Sequence, residues 1–251
     1  MIFFAKSDKG RVREENQDSY GISESQGQYL LAVVCDGMGG VQGGKTAAKL
    51  AVATYLDRFG FFYSDRFDDA ETPLITPFEI KRIFGNAVYA ANLAVYEKAQ
   101  SDESLHGMGT TLTSALIIGS VLYTSNVGDS RVYLIRDRQA KRITKDNSYV
   151  QQLIDLGKIS EEEAKVHPHH NLITKALGVG AELDGDFTCT ALEEGDKILL
   201  CSDGLSNSVT DEEIADILCM DEDGEHRINY LIQYANIQGG EDNITAVVIE
   251  Y

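Results

Sequence analysis

The chain has 251 residues, 43% of them hydrophobic and 25% charged, enough for one large globular core or a core with a small subdomain. Its 22 Lys and Arg stand against 40 Asp and Glu, a formal charge of −18. A field of that sign repels nucleic acid and anionic lipid, which excludes both as natural partners. Four scattered cysteines (Cys35, Cys189, Cys201, Cys219) without a CxxC pair exclude a zinc knuckle and a disulfide scaffold. They read as small apolar core residues of a reducing compartment. Before Lys6 only Ile2 to Ala5 are apolar, too few for a signal peptide. The expectation is a soluble, cytoplasmic protein.

In chain order, the first predicted strand is Tyr29 to Cys35, an unbroken apolar run. Helix-spaced apolar residues follow from Thr46 to Phe59. Thr76-Pro77-Phe78-Glu79 combines a capping box with proline at the first helical position and opens a second helix toward Gln100. Gly107 to Gly128 carries no charge, but Gly119-Ser120 divides it into β-rich halves. A two-residue hairpin joining Thr111–Ile118 to Val121–Val127 explains it better than a membrane span. Further strands are predicted at Arg131–Ile135, Lys197–Cys201 and Ile244–Glu250, and a capped helix begins at Thr210. The segment from about 144 to 177 stands apart. It holds a short amphipathic helix (Tyr149 to Leu156, stopped by Gly157), a capping box at Ser160–Glu163 and the tract His167-Pro168-His169-His170. It is predicted to be a flap. Helices do not alternate with strands, so the order predicts an α+β fold with antiparallel sheets.

The chemistry-bearing pattern is the position of certain acids. Asp36 follows YLLAVVC, Asp129 follows VLYTSNVG, Asp203 follows ILLCS, and Asp242-Asn243 precede ITAVVIE. An Asp at the end of a buried strand projects from a rigid base into a crevice, and an adjoining glycine permits close approach of backbone. Clustered carboxylates raise one another's pKa unless a cation neutralises them. All-oxygen ligation points to Mg²⁺ or Mn²⁺ rather than zinc. Two such ions about 3.5–4 Å apart suit phosphoester hydrolysis.

Eight motifs occur in order: RxxNQD (Arg13 to Asp18), VVCDGMGG (Val33 to Gly40), GMGTTL (Gly107 to Leu112), NVGDSRVYL (Asn126 to Leu134), SYVQQLIDLGKIS (Ser148 to Ser160), HPHHNLITKALG (His167 to Gly178), LLCSDGLSN (Leu199 to Asn207) and EDNITAVVI (Glu241 to Ile249). Together they resemble the type 2C metal-dependent serine/threonine protein phosphatases (PPM superfamily) in their compact bacterial form, from about Ser7 to Ile249. The resemblance implies a single catalytic domain over 1–251: a four-layer α-β-β-α sandwich of two antiparallel sheets flanked by helices, with the flap beside the metal cleft. It implies that Asp36 bridges two core ions, Mg²⁺ or Mn²⁺, with the Gly37 carbonyl completing one of them. Asp203 and Asp242 hold the same pair, and Asp18 acts through metal-bound waters. Arg13 binds the substrate phosphate. Asp129, with Asp203 and a flap carbonyl near Asn171, makes a weaker third site. A bridging water attacks phosphorus in line, without a phosphoenzyme.

Some positions depart from the family pattern. Met38 replaces a histidine that protonates the leaving group in some members. Val41 stands where many relatives have His, Lys45 stands where an acid commonly opens the helix, and His170 takes a place often held by Arg. Cys35 and Cys201 lie close to Asp36 and Asp203, but both fall within apolar runs where thiols are inert. The implied partners are phosphorylated proteins, including a Ser/Thr kinase or its targets, acted on by a monomer. The alternatives are a two-metal phosphodiesterase or small-molecule phosphatase, a non-catalytic phosphoprotein-binding or sensor member of the same fold, and a purely acidic scaffold, which would not need hydrophobic strands feeding each acid.

Overall fold

A computed structural model describes residues 1–25, 29–67 and 75–251, with the side chains of residues 41 and 62–67 outside the description, Val41 among them. In chain order the elements are β1 (Ile2–Asp8), β2 (Ser19–Ser25), β3 (Tyr29–Cys35), β4 (Gly37–Met38), α1 (Gly40–Phe67), α2 (Pro77–Ser101), β5 (Gly109–Thr110), β6 (Leu112–Ile118), β7 (Val121–Val127), β8 (Arg131–Arg136), β9 (Gln139–Arg142), α3 (Tyr149–Asp155), α4 (Glu161–Lys165), β10 (Asp186–Ala191), β11 (Lys197–Cys201), α5 (Asp203–Ser206), α6 (Asp211–Leu218), α7 (Gly224–Ile237) and β12 (Ile244–Glu250). One sheet runs β1-β12-β11-β8-β9 and the other β10-β7-β6-β3-β2, every pairing antiparallel.

Side-chain alternation sorts these strands into layers. Leu31, Val33, Leu112, Leu116 and Val127 face α1 and α2, burying Ala48, Ala51, Tyr55, Phe84, Ala87 and Ala91. The intervening residues Leu30, Ala32, Val34, Ala115 and Ile117 meet Val132, Leu134, Ile198, Leu200, Val247 and Ile249 of the other sheet. That sheet's outer face, with Tyr133, Leu199, Ala246 and Val248, lies under Ile214, Leu218, Ile228 and Leu231 of α6 and α7. The result is the four-layer α-β-β-α sandwich.

The predicted strands all form, within a residue at their ends. Ile118 pairs with Val121 across Gly119-Ser120, and Gly119 takes φ +55°, the conformation that a tight hairpin needs there. The capping boxes at Thr76, Ser160 and Thr210 are present with both hydrogen bonds. Helix α1 is a correction: it begins at Gly40, not Thr46, because its first turns are built on glycines that hide the apolar period. Lys45 therefore lies inside the helix, paired with Glu15 at 3.6 Å, and not at its start. Strands β1, β2, β9 and β10 and helix α7 were not anticipated. All four strands are sheet edges: in β2, β9 and β10 polar residues break the hydrophobic pattern, and in β1 a short apolar start, exposed at Ile2 and Phe3, runs into Lys6-Ser7-Asp8.

Candidate active site

The acids singled out in the sequence lie at the same end of the sandwich because the topology brings those strand ends together. Asp36 leaves β3 and Asp18 enters β2 in one sheet; Asp203 leaves β11 and Asp242 enters β12 in the other; Asp129 sits in the turn from β7 to β8 that crosses between them. The carboxyl groups of Asp36 and Asp203 are within hydrogen-bonding reach of each other.

Each acid has a built support. The Asp36 backbone N–H donates to Thr111 Oγ1 (2.9 Å), and its carbonyl accepts from Thr111 N (2.9 Å) and Thr110 Oγ1 (2.8 Å). Strand β4 pairs with β5, Gly37 opposite Thr110 and Met38 opposite Gly109, so the DGMGG and GMGTTL motifs form one small ladder. A Cβ on Gly37 would lie 2.1 Å from the Gly44 carbonyl oxygen, and one on Gly204 would lie 2.2 Å from that of Asn243. The glycine after each of these acids thus admits a neighbouring backbone, α1 in one case and the start of β12 in the other.

Sequence reasoning did not find the residues that stitch the segments together. Ser202 Oγ donates to Asp18 Oδ2 at 2.7 Å. The Asn243 side chain accepts from Gln17 N (2.8 Å) and donates to the Lys9 and Glu15 carbonyls (both 2.9 Å), fastening the RxxNQD loop to Asp242. Arg13, half exposed, donates from Nη2 to Asp242 Oδ2 at 2.7 Å, and this contact raises its pKa further. The only advance signal was that Ser202 and Asn243 each adjoin a predicted acid.

The electrostatics are those of carboxylates forced together. Burial, and then the charges of Asp203 and Asp242, push Asp18 up to about 7 against hydrogen bonds from Thr245 and Ser202. Asp129 rises to about 8, through burial and then the charges of Asp203 and Asp146. Asp36 is raised by burial and by Asp18, Asp203 and Asp129; Asp203 is raised by burial and by Asp242, against its contact with Asp36. Asp18 Oδ1 and Asp203 Oδ1 are buried without a hydrogen-bond partner. Two orphaned carboxylate oxygens in an all-oxygen cluster fit a hard cation, which would satisfy them and relieve the mutual repulsion. Among the described residues no three His, Cys, Asp or Glu side chains stand together so that they could hold a metal ion by themselves, so backbone carbonyls and water would have to supply much of the coordination.

A family model described as "Protein phosphatase 2C" matches residues 9–236. The chain belongs to the protein phosphatase 2C family. The serine/threonine phosphatase stp of Listeria welshimeri is 36% identical over 245 residues, covering 98% of this chain and 94% of the relative. The solved Streptococcus agalactiae serine/threonine phosphatase superposes with a TM-score of 0.87 at 33% identity, covering 100% of this chain and 99% of that one. The catalytic domain of the serine/threonine protein phosphatase PstP, solved with two manganese ions, gives 0.80 at 37% identity over 98% and 96% of the two chains. Within this protein phosphatase 2C chain, Cys35 and Cys201 are fully buried, and burial drives both thiols up, Cys201 to about 12. Neither presents a thiolate. The expectation that all four cysteines are core residues is corrected: Cys189 is exposed on the edge strand β10 and Cys219 is half-buried. His167, His169 and Tyr149 form a ring cluster on the flap, His170 Nδ1 meets the His167 carbonyl at 2.8 Å, and Asn171 is exposed beside them.

Proposed function

We propose that this chain is a divalent-metal-dependent phosphatase that hydrolyses phosphoserine and phosphothreonine in other proteins. The observation that carries the proposal is the meeting of acids from both sheets, with orphaned carboxylate oxygens, beside an exposed arginine. Asp36, Asp203 and Asp242 would hold two core ions, Mg²⁺ or Mn²⁺, together with the Gly37 carbonyl. Asp18, fixed by Ser202, would act on their water shell, and Asp129 with Asp203 would hold a third, weaker ion. Divalent ions, when bound, supply Lewis-acid charge and lower the pKa of water toward neutrality.

Arg13 binds and orients the phosphate. A guanidinium carries five donors, and the contact with Asp242 occupies one. Holding Asp242 also aims the fork at the cleft, so one side chain links the acid cluster to the substrate anion. Much of the catalysis is then positioning and charge stabilisation around the transferring phosphoryl group. No Ser, Cys or His nucleophile is required, and the two nearby thiols are inert. Met38 cannot donate a proton, so the leaving alkoxide takes its proton from a source other than this side chain.

The domain comprises the whole of 1–251, flap included. Its substrates are phosphoproteins, and a Ser/Thr kinase or its targets are the natural class. We place it in the cytoplasm as a monomer away from membranes; no described helix is long and apolar enough to cross one.

The test is hydrolysis of a phosphothreonine peptide with Mn²⁺, with Mg²⁺ and with EDTA, for the wild type and Asp203→Asn. Turnover should require the divalent ion, and the variant should lose roughly 10²-fold or more in kcat while folding normally. Undiminished turnover in EDTA, or from Asp203→Asn, would overturn the assignment.

A further inference from the structure

At the root of the flap, beside Asp129, Asn147 commits all of its polar atoms. The Asn147 backbone N–H donates to the Gly128 carbonyl (2.8 Å), and its own carbonyl accepts from Thr174 N (2.7 Å) on the flap's returning limb. Its side-chain Oδ1 accepts from Gly128 N (3.1 Å), while Nδ2 donates to Asp186 Oδ2 (2.7 Å). Lys175 Nζ holds the other Asp186 oxygen at 3.0 Å. The neighbours reinforce the grip. Arg131 binds Asp146 through Nε (3.0 and 3.1 Å) and Nη2 (2.7 Å), and Asn126 Nδ2 donates to the Lys145 carbonyl (3.1 Å).

The far side of the same turn rests on the support of Asp36. A Cβ on Gly128, at φ +101°, would lie 2.6 Å from Thr111 Cγ2. Ser130 Oγ is 2.7 Å from Thr111 Oγ1, the atom that also accepts from Asp36 N. Gly128-Asp129-Ser130 is therefore clamped between Thr111 and Asn147. The aim of the Asp129 carboxylate is set by this turn.

We propose that Asn147 is a positioning residue for Asp129, fixing its turn to the root of the flap so that the carboxylate is held in place for a divalent cation. The inference rests on the reading of Asp129 as a ligand of the weaker third ion. The chemistry selects the residue type. One side chain must accept from the Gly128 N–H and donate to the Asp186 carboxylate, and a primary amide does both. An ionised Asp at 147 could accept but not donate, and it would set a like charge against Asp186. Residues that orient a metal ligand without touching the metal typically govern affinity by about 10–100-fold.

The experiment is calorimetric titration of Mn²⁺ into the metal-free full chain, with thermal melts of each variant. Asn147→Ala and Asn147→Asp should weaken the weakest Mn²⁺ site by about tenfold or more, leaving the two tighter sites unchanged. The pair Asn147→Asp with Asp186→Asn reverses donor and acceptor, keeps the Gly128 contact and should restore the weak site. Asp129→Ala is the reference and should abolish it. If Asp129→Ala loses the weak ion while both Asn147 variants keep it, the positioning role is wrong and the ligand reading stands. If Asp129→Ala binds as the wild type does, or if the wild type takes up only two ions, the ligand reading fails and the inference with it. Equal weakening of all three sites would mark Asn147 as merely structural. Should Asn147→Ala melt without cooperativity, the near-isosteric Asn147→Asp and its Asp186→Asn rescue decide alone: failure of the rescue overturns the proposal.

Discussion

The four crowded aspartates of the cleft, Asp18 buried and Asp36, Asp129 and Asp203 half-buried, carry the chain's clearest functional tension, because folding drives them toward the protonated form. In an unfolded chain they titrate near the ordinary value of about 3.9. In the fold Asp18 and Asp129 move to about 7 and about 8, and Asp36 and Asp203 move in the same direction. Between about pH 4 and pH 8 the metal-free native state thus binds more protons than the unfolded state, so its stability must fall as pH rises through that window. The carboxylates with depressed values, Asp102, Asp155, Glu163, Asp196, Glu213 and Asp223, lose their contribution only as pH falls below about 5. His226, raised by Asp223, acts in the same direction as the cleft acids but is solvent-exposed and screened. In EDTA the melting temperature should decline from pH 5.5 to pH 8, and Asp18→Asn should flatten that decline by removing one titrating group. Saturating Mn²⁺ should oppose it, since a cation takes the place of the protons. A metal-free melting temperature that climbs over the same interval would contradict the burial of these acids.

Among the elements, helix α1 does most to place Asp36, and it does so through the absence of side chains. Its first turns approach β4 so closely that a Cβ on Gly44 would lie 2.6 Å from both the Gly37 carbonyl carbon and its oxygen. Gly44→Ala should therefore cost about 1–3 kcal/mol through overpacking, despite the better helix propensity of alanine, and should lower activity by displacing Asp36-Gly37. Gly85 of α2 is the control, with open space where its Cβ would stand. Gly85→Ala should stabilise by about 0.5–1 kcal/mol and leave kcat unchanged. Thermal melts with peptide assays separate the two, and a neutral Gly44→Ala would mean that α1 does not set the site. The same helix shows where the sequence was opaque. Strands buried on both faces, such as Tyr29–Cys35, announce themselves as apolar runs, and capping boxes announce helix starts. The glycine-rich opening of α1 carries no period, β2 and β10 are half-polar edges, and α7 opens on a glycine behind its Asp223 cap. Asp36, Asp129, Asp203 and Asp242 were legible because each ends or precedes a central strand, whereas Asp18 stands before the edge strand β2 and was reached only through the motif resemblance. The bonds that unite them were not, because Ser202–Asp18 and Arg13–Asp242 join residues 184 and 229 positions apart. Such pairings follow from strand order, which local pattern does not encode.

For the molecule as a whole, the decisive arrangement is that the site spans both sheets while neither sheet contains it. Asp36 and Asp18 belong to one sheet, Asp203 and Asp242 to the other, and their separation depends on how the two sheets pack across the layer of Leu30, Val34, Ile117, Leu200 and Val247. Bound cations would staple the sheets, and by mass action each would stabilise the fold by RT ln(1 + [L]/Kd). It follows that two core truncations of similar cost should differ in their effect on the site. Ile117 lies in the inter-sheet layer, on β6 near the hairpin end remote from the acids; Leu231 lies on the inner face of α7, in the outer layer. Either residue changed to Ala should cost about 2–5 kcal/mol in the metal-free protein. Only Ile117→Ala, by loosening the packing between sheets, should also weaken Mn²⁺ binding, and so show a smaller rise in melting temperature on adding the ion. Equal Mn²⁺-induced shifts in the two variants would mean that the acids are held by their own turns and hydrogen bonds, independently of how the sheets meet.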